Sequence, residues 1–390
     1  CPWPDYALRR HNRAMAKTLD EHYGYLADDV KVEKYRAAIE QSVGPEHVVL
    51  DLGCGSGLLG LMALRAGARK VIFVDEDAVI EVARRTVSEA GFADRAEFVQ
   101  ANSFELSLPG RVDVVICDHV GYFGFDYGAL VLMVDARERF LGPGGILVPS
   151  AIDVLVAPVE SESCRNLVAR WQDGSAPGDF AWLGTAAANT RHAVAISPHE
   201  LIADAAPLAT LHLGVEVDPY LAWIAEFQCA RAGMLDGVAG RFDCRLIDDI
   251  RMTNAPGAAE RLDRPQAFLP LETPVSIREG EQILVTIMAR HLDNVIGWTI
   301  ELPESGKRFS HSTFNGLLLD GEALTRANPN RVAALNERGR AHQIVLSYCD
   351  GNRTVAEVQA LVERDHPELF PSKRATAAFV TQVLARDTGE

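Results

Sequence analysis

The residues able to do chemistry in this sequence gather in three short stretches. The first, Val48-Val-Leu-Asp-Leu-Gly-Cys-Gly-Ser-Gly-Leu-Leu59, runs from apolar residues into an acid, Asp51, and three alternating glycines, Gly53, Gly55 and Gly57. The second, Val71-Ile-Phe-Val-Asp75, ends a further apolar run on an acid. An acid at the tip of a second strand binds ribose hydroxyls in dinucleotide folds; for Asp75 the plainer alternative is a cap on the following helix. The glycines lack the two-residue gap of the pyrophosphate fingerprint, and Asp51 would repel a phosphate. A ribose-containing cofactor with a cationic amino-acid end and no phosphate suits these groups, and S-adenosylmethionine (SAM) is that cofactor. The third stretch, Cys117-Asp-His-Val-Gly-Tyr-Phe-Gly-Phe-Asp-Tyr127, holds Asp118, His119 and Asp126. Its histidine could serve as a general base.

These stretches need elements to position them. Val48–Leu52, Val71–Asp75, Glu97–Gln100, Val112–Cys117 and Ile146–Pro149 read as strands, and Leu58–Ala66, Ala78–Ala90 and Tyr127–Phe140 as helices. That alternation predicts a parallel sheet covered on both faces, with Gly142-Pro-Gly-Gly145 as the turn into its last strand. Residues 8–45 read as helical, broken at Gly24 between Tyr23 and Tyr25. From about residue 151 the pattern becomes short alternating runs, Asp153–Val159, Ala222–Cys229, Arg241–Ile247 and Gln282–Met288, which predict an antiparallel domain. Beyond about residue 317, Asn330–Leu335 reads as a short strand and the rest as helical. Thr354-Val-Ala-Glu357 is a capping box, and Val355, Val358, Leu361 and Val362 fall on one helical face. The expected domains are therefore an N-terminal helical segment (1–45) over the cofactor site, a Rossmann-like α/β SAM-binding domain (46–150), an antiparallel β-barrel-like substrate domain (151–316) and a mainly helical C-terminal domain (317–390).

Composition narrows the function. Over 390 residues the chain is 48% hydrophobic and 24% charged, with a formal charge of −16, which argues against a nucleic-acid backbone as partner. No apolar run approaches the roughly 18 residues a membrane span needs. Seven cysteines without a CxxC pair read as reduced thiols of a cytoplasmic protein, and no metal site is expected.

The glycine stretch, with Ala66-Gly-Ala-Arg-Lys-Val71 and Asp75, resembles the protein arginine methyltransferases. The resemblance continues through Val112–Asp126, Leu141–Pro149 and Ser197–Leu211, and more weakly through Leu262–Ile283, covering roughly residues 20–315. It implies a SAM-binding Rossmann-like domain, a barrel-like domain and an acceptor between them. It also implies a homodimer formed through an arm, for which Cys164–Ala188 is the candidate. By the same resemblance Asp51, Gly53, Gly55 and Gly57 form the cofactor loop, Asp75 binds the ribose, and Arg36 grips the cofactor carboxylate. Asn102 and Ser103 meet the adenine. Tyr23, Tyr122 and Tyr127 are candidate walls of the acceptor site.

A guanidinium keeps its proton near neutrality, so its methylation depends on holding its charge away from the attacking nitrogen. The family does this with two glutamates in one loop. Here Asp118 fills the first slot, Tyr127 the second, and Asp126 lies one residue before it. The family's Thr-His-Trp element is replaced by Arg261-Leu-Asp263. Arginine on a peptide or protein is the acceptor the resemblance implies. An N- or O-methyltransferase for a small metabolite or another side chain, and a silent SAM-binding scaffold, stay open. Leu335–Gly339, Ser347–Gly351 and Arg353–Val358 resemble the PqqD-like domains. That likeness implies a small sheet with three helices binding a precursor peptide's leader as an added strand.

Overall fold

The computed structural model describes residues 20, 22–318, 320–321, 325 and 328–388, and its chain divides into two compact units, Cys1–Leu317 and Leu318–Glu390. The helical reading of residues 8–19 lies outside the described residues. Residues 22–27 are helical straight through Gly24. The break falls instead at Asp28, whose carboxylate accepts from the Lys31 N–H as the N-cap of helix α1 (Asp29–Ser42). An Asx cap is a stronger boundary than one helical glycine.

Five strands, β1 (Val48–Leu52), β2 (Lys70–Asp75), β3 (Ala96–Gln100), β4 (Val112–Ile116) and β5 (Leu141–Val148), form a sheet in the order β3-β2-β1-β4-β5. All its pairings are parallel. Helices α2 (Leu58–Arg65), α3 (Ile80–Glu89) and α4 (Ala129–Arg139) make the crossovers. β1 is buried from Val49 onward, as a strand covered on both faces must be. The strand order reverses between β1 and β4, so a crevice opens at their carboxyl ends. The Gly142–Gly145 turn is not a separate connection. It lies within β5, as an irregularity between the pairs Val112–Leu141 and Val114–Ile146.

The chain then enters antiparallel structure. β6 (Ala151–Val159), β7 (His192–Val194), β8 (Ala206–His212), β10 (Gly233–Ile247) and β12 (Gln266–Ile277) form one sheet in the order β7-β12-β10-β6-β8, with β11 (Ile250–Thr253) paired to β10. β9 (Tyr220–Gln228), β13 (Gln282–Arg290), β14 (Val295–Leu302) and β15 (Lys307–Ser312) form another, in the order β15-β14-β13-β9. Alternating burial along β9 and β13 puts one face of each in the core. The stretch read as an irregular arm carries two short helices, α5 (Glu162–Ala169) and α6 (Leu183–Ala188). A parallel Rossmann-like sheet followed by an antiparallel β domain is thus the fold class the sequence predicts.

The second unit contains α7 (Glu337–Ser347), α8 (Val355–Asp365) and α9 (Lys373–Asp387), packed on Val345, Val358, Val362, Val380, Val383 and Leu384. Thr354 and Glu357 form the reciprocal capping box. Two expectations fail here. Residues 330–335 make no strand, because no described neighbour offers a ladder to a short alternating run. Val355 is exposed, because it begins α8 ahead of the turn that meets the core.

Candidate cofactor and acceptor site

The crevice at the end of β1, β2 and β4 encloses about 1540 Å³, more than the roughly 300–1,000 Å³ of an ordinary small-molecule site. That leaves room for a cofactor and for part of a second molecule. Asp51, Gly53, Gly55, Asp75, Asn102, Ser103, Asp118, His119, Tyr122 and Tyr127 all line it.

Asp75 ends β2 with its carboxylate fixed by two backbone donors, the Gly55 N–H at 2.8 Å and the Asp77 N–H at 2.9 Å. Carboxylate oxygens have further lone pairs, so Asp75 can still accept from ribose hydroxyls. The glycine loop fits close against its surroundings. A Cβ on Gly53 would fall 2.1 Å from His119 Cε1, and one on Gly55 would fall 2.8 Å from His22 Cε1. Gly57 does a different job. It starts α2 at a φ of 81°, and its missing Cβ lets Ala83 of α3 approach; it is a packing glycine outside the crevice lining. Asp51 is 1% exposed and accepts from the Gly60 N–H at 2.7 Å. Burial, helped by the nearby Asp75 and Asp118 charges, pushes its carboxyl up to about 7 despite that hydrogen bond. A cationic group arriving in the crevice would favour its ionised form. Asn102 accepts from the Phe104 N–H and donates to Glu76, while the Ser103 carbonyl accepts from Arg139.

Besides Gly57, three of the candidates lie elsewhere. Arg36 faces away from the crevice and pairs with Glu33 on the exposed side of α1. On α1 the cation facing the crevice is Lys31, 3% exposed. Positions 31, 35, 38, 39 and 42 are the buried face of α1, and Arg36 is about 100° off it. Extending the Tyr35–Ala38–Ile39 face back by four residues would have found Lys31. Tyr23 is 72% exposed, and His22 and Tyr25 line the crevice in its place. Asp126 is fully buried. It accepts from the Tyr122 and Phe123 N–H groups at 2.9 and 2.8 Å, and its other oxygen pairs with Arg191 at 2.6 Å. Burial outweighs Arg191 and keeps its carboxyl raised. Asp126 therefore shapes the loop, and it is not among the residues that line the crevice beside Asp118.

Asp118 stands just beyond β4. It accepts from Lys31 Nζ at 3.1 Å and from Arg264 Nη2 at 3.3 Å on both oxygens, and the Tyr35 hydroxyl, which donates to the Cys117 carbonyl at 2.9 Å, lies 3.3 Å from it. Burial pushes its carboxyl up, but Arg264 and Lys31 outweigh it and hold it below the usual range. Burial lowers the His119 imidazole, against the pull of Asp118 and Asp75, so it is neutral at pH 7. Its Nδ1 lies 3.4 Å from Cys117 Sγ, and its ring stacks on Tyr127 at 6.0 Å. Arg264 follows immediately on the Arg261–Asp263 stretch. Asn254, fully buried, donates to both the Tyr122 and the Pro265 carbonyls at 2.8 Å and so joins the loop after Asp118 to the loop that carries Arg264. No local sequence signal marks Asn254.

Residues 49–145, which carry this reversed parallel sheet and the acids near the ends of β1 and β2, match the family model described as "Methyltransferase domain". The relatives are more particular. Residues of this chain are 35% identical over 158 residues to the ribosomal protein arginine N-methyltransferase rmt3 of Schizosaccharomyces pombe, covering 40% of this chain and 29% of that protein. They are 33% identical over 156 residues to protein arginine N-methyltransferase 1 of the same yeast, covering 39% and 46%. The match therefore spans less than half the length of these curated relatives. In fold, the chain is similar to the Trypanosoma brucei PRMT1 enzyme-prozyme heterotetrameric complex with AdoHcy, at a TM-score of 0.66 and 21% identity over 75% of this chain and 96% of that one. Arabidopsis thaliana protein arginine methyltransferase 10 gives 0.65 and 20% over 76% and 98%.

Proposed function

We propose that this chain is a SAM-dependent methyltransferase that modifies a side-chain nitrogen of a peptide or protein, with the arginine guanidinium as acceptor. The observation that carries the reading is Asp118. It is an ionised carboxylate at the end of β4, lining the same crevice as the glycine loop and Asp75. The relatives' names point to arginine. SAM supplies, when bound, a methyl group on a sulfonium. In this reading Asp75 holds the ribose, Lys31 the cofactor carboxylate, and Asp51 faces its ammonium. Asp118 anchors the acceptor, and neutral His119 can take the proton the nitrogen sheds.

A second reading, methylation of a different acceptor, is favoured by one observation: Tyr127 stands in the second glutamate's slot while Asp126 is buried against Arg191. The PqqD-like sequence of the C-terminal unit supports a role in holding a precursor's leader, possible by effective concentration even with an unselective active site. Exposed Phe180 and Trp182, in the arm between α5 and α6, support a homodimer. Among the described residues six cysteines are free, which suits a cytoplasmic setting.

The test uses labelled SAM with arginine-containing peptides. Asp118→Asn should lose turnover while keeping cofactor affinity; unchanged turnover removes the mechanism. A label found by mass spectrometry only on aspartate, histidine or a free metabolite removes the arginine assignment, and cofactor binding without transfer to anything leaves a scaffold.

A further inference from the structure

The acceptor's carboxylate already holds a guanidinium. Arg264 Nη2 lies 3.3 Å from each oxygen of Asp118, and the side chains are 11% and 19% exposed. Both residues line the crevice. Lys31 takes up further acceptor capacity on the same carboxylate. One negative charge thus faces two internal cations.

From this we propose that Arg264 sets acceptor specificity by acting as an internal guanidinium that an incoming arginine must displace from Asp118. The proposal rests on the reading of Asp118 as the acceptor-binding group. Two features make displacement feasible. Arg264 is held through one nitrogen only, Nη2, while Nη1 is buried without a hydrogen-bond partner. A planar guanidinium gains most from a carboxylate when two of its nitrogens engage in parallel, so an incoming arginine able to dock side-on has an advantage over Arg264. The residue also sits on the loop that begins at Arg261, ahead of β12, and this loop is tied to α1 by Asp28 to the Asp263 N–H at 3.1 Å and by Lys34 to Glu260 at 2.5 Å. Asn254 fixes the next residue, Pro265. The backbone is anchored on both sides of Arg264, so the exchange belongs to the side chain.

Such a gate raises the threshold for every cationic acceptor and does nothing to a neutral one. A neutral urea such as citrulline has the shape of arginine but no charge with which to contest the carboxylate. An arginine with weak surroundings would fail to displace Arg264, so additional binding energy from elsewhere on the substrate becomes a requirement for modification.

The experiment compares the full chain with Arg264→Met and Arg264→Lys, saturated with S-adenosylhomocysteine. A fluorescein-labelled Gly-Arg-Gly repeat peptide and its citrulline counterpart serve as probes in anisotropy titrations. Arg264→Met should bind the arginine peptide about tenfold more tightly or better, since one charge-assisted hydrogen-bonded competitor is gone. Its affinity for the citrulline peptide should not change. Arg264→Lys should fall between it and the wild type. Unchanged or weaker arginine-peptide binding in Arg264→Met, or an equal gain for citrulline, overturns the proposal. Cofactor affinity is measured alongside, and Arg264→Lys keeps the comparison valid if the methionine variant does not retain it. Turnover with labelled SAM is scored separately. Tighter arginine binding without methyl transfer would sink the enzymatic reading and leave the gate standing.

Discussion

Asp51→Asn should make the cofactor-free protein more stable and the cofactor weaker to bind. The side chain is 1% exposed, and its carboxyl is pushed from an ordinary 3.8 to about 7. A group whose value rises on folding contributes its full stability below the unfolded value and loses that contribution as pH climbs through the folded one. Ionised Asp51 therefore costs the folded state on the order of 4 kcal/mol above pH 7 and nothing below pH 4. Asparagine keeps the oxygen that accepts from the Gly60 N–H and never ionises. The variant should match the wild type near pH 4 and exceed it increasingly towards pH 8, by several degrees in Tm at about 2 °C per kcal/mol for a chain of this size. Differential scanning calorimetry without cofactor checks this. Binding should move the other way. Ionised Asp51 is about a tenth of the population at pH 6 and about nine tenths at pH 8. S-adenosylhomocysteine affinity of the wild type should accordingly rise about tenfold over that range. In the variant it should be weaker and lack this slope, which also controls for titration of the ligand's own amine. A variant destabilised equally at all pH values, or one that keeps the full affinity slope, would refute the reasoning.

Two other substitutions separate residues that the sequence does not distinguish. Lys31→Met should weaken cofactor binding about tenfold or more by removing a charge-assisted contact, whereas Arg36→Met should leave calorimetric affinity unchanged. Arg191→Met should destabilise the fold by about 3 kcal/mol in urea unfolding, because Asp126 is left buried and unpaired. That loss should shrink as pH falls and Asp126 takes up a proton, and Asp126→Asn should be milder.

What the sequence could reveal follows the range of the interactions involved. The glycine loop and Asp75 were readable because a strand, a tight turn and a helix sit within thirty residues, and each residue type answers a local demand. Lys31 was obscured by rotation about α1, since three cations within six residues point in different directions and only the buried face decides among them. Asp126 depended on Arg191, and Asp118 on Arg264. No periodicity links such distant partners. Local signals also misled in the other direction. Gly24 lies within a helix because Asp28 caps the next one, and Gly142–Gly145 is absorbed into β5. Residues 330–335 alternate like a strand but have no described ladder to join.

Asn254 has a consequence for how this site could change. Its amide holds the carbonyls of Tyr122 and Pro265 at once, so the loop that carries Asp118 and the loop that carries Arg264 share one joint. Neither can be reshaped or grafted from a relative without leaving a buried amide donor with nothing to bind. The charge at position 118, the cation at 264 and the joint between them would then be inherited as a block, travelling together or not at all.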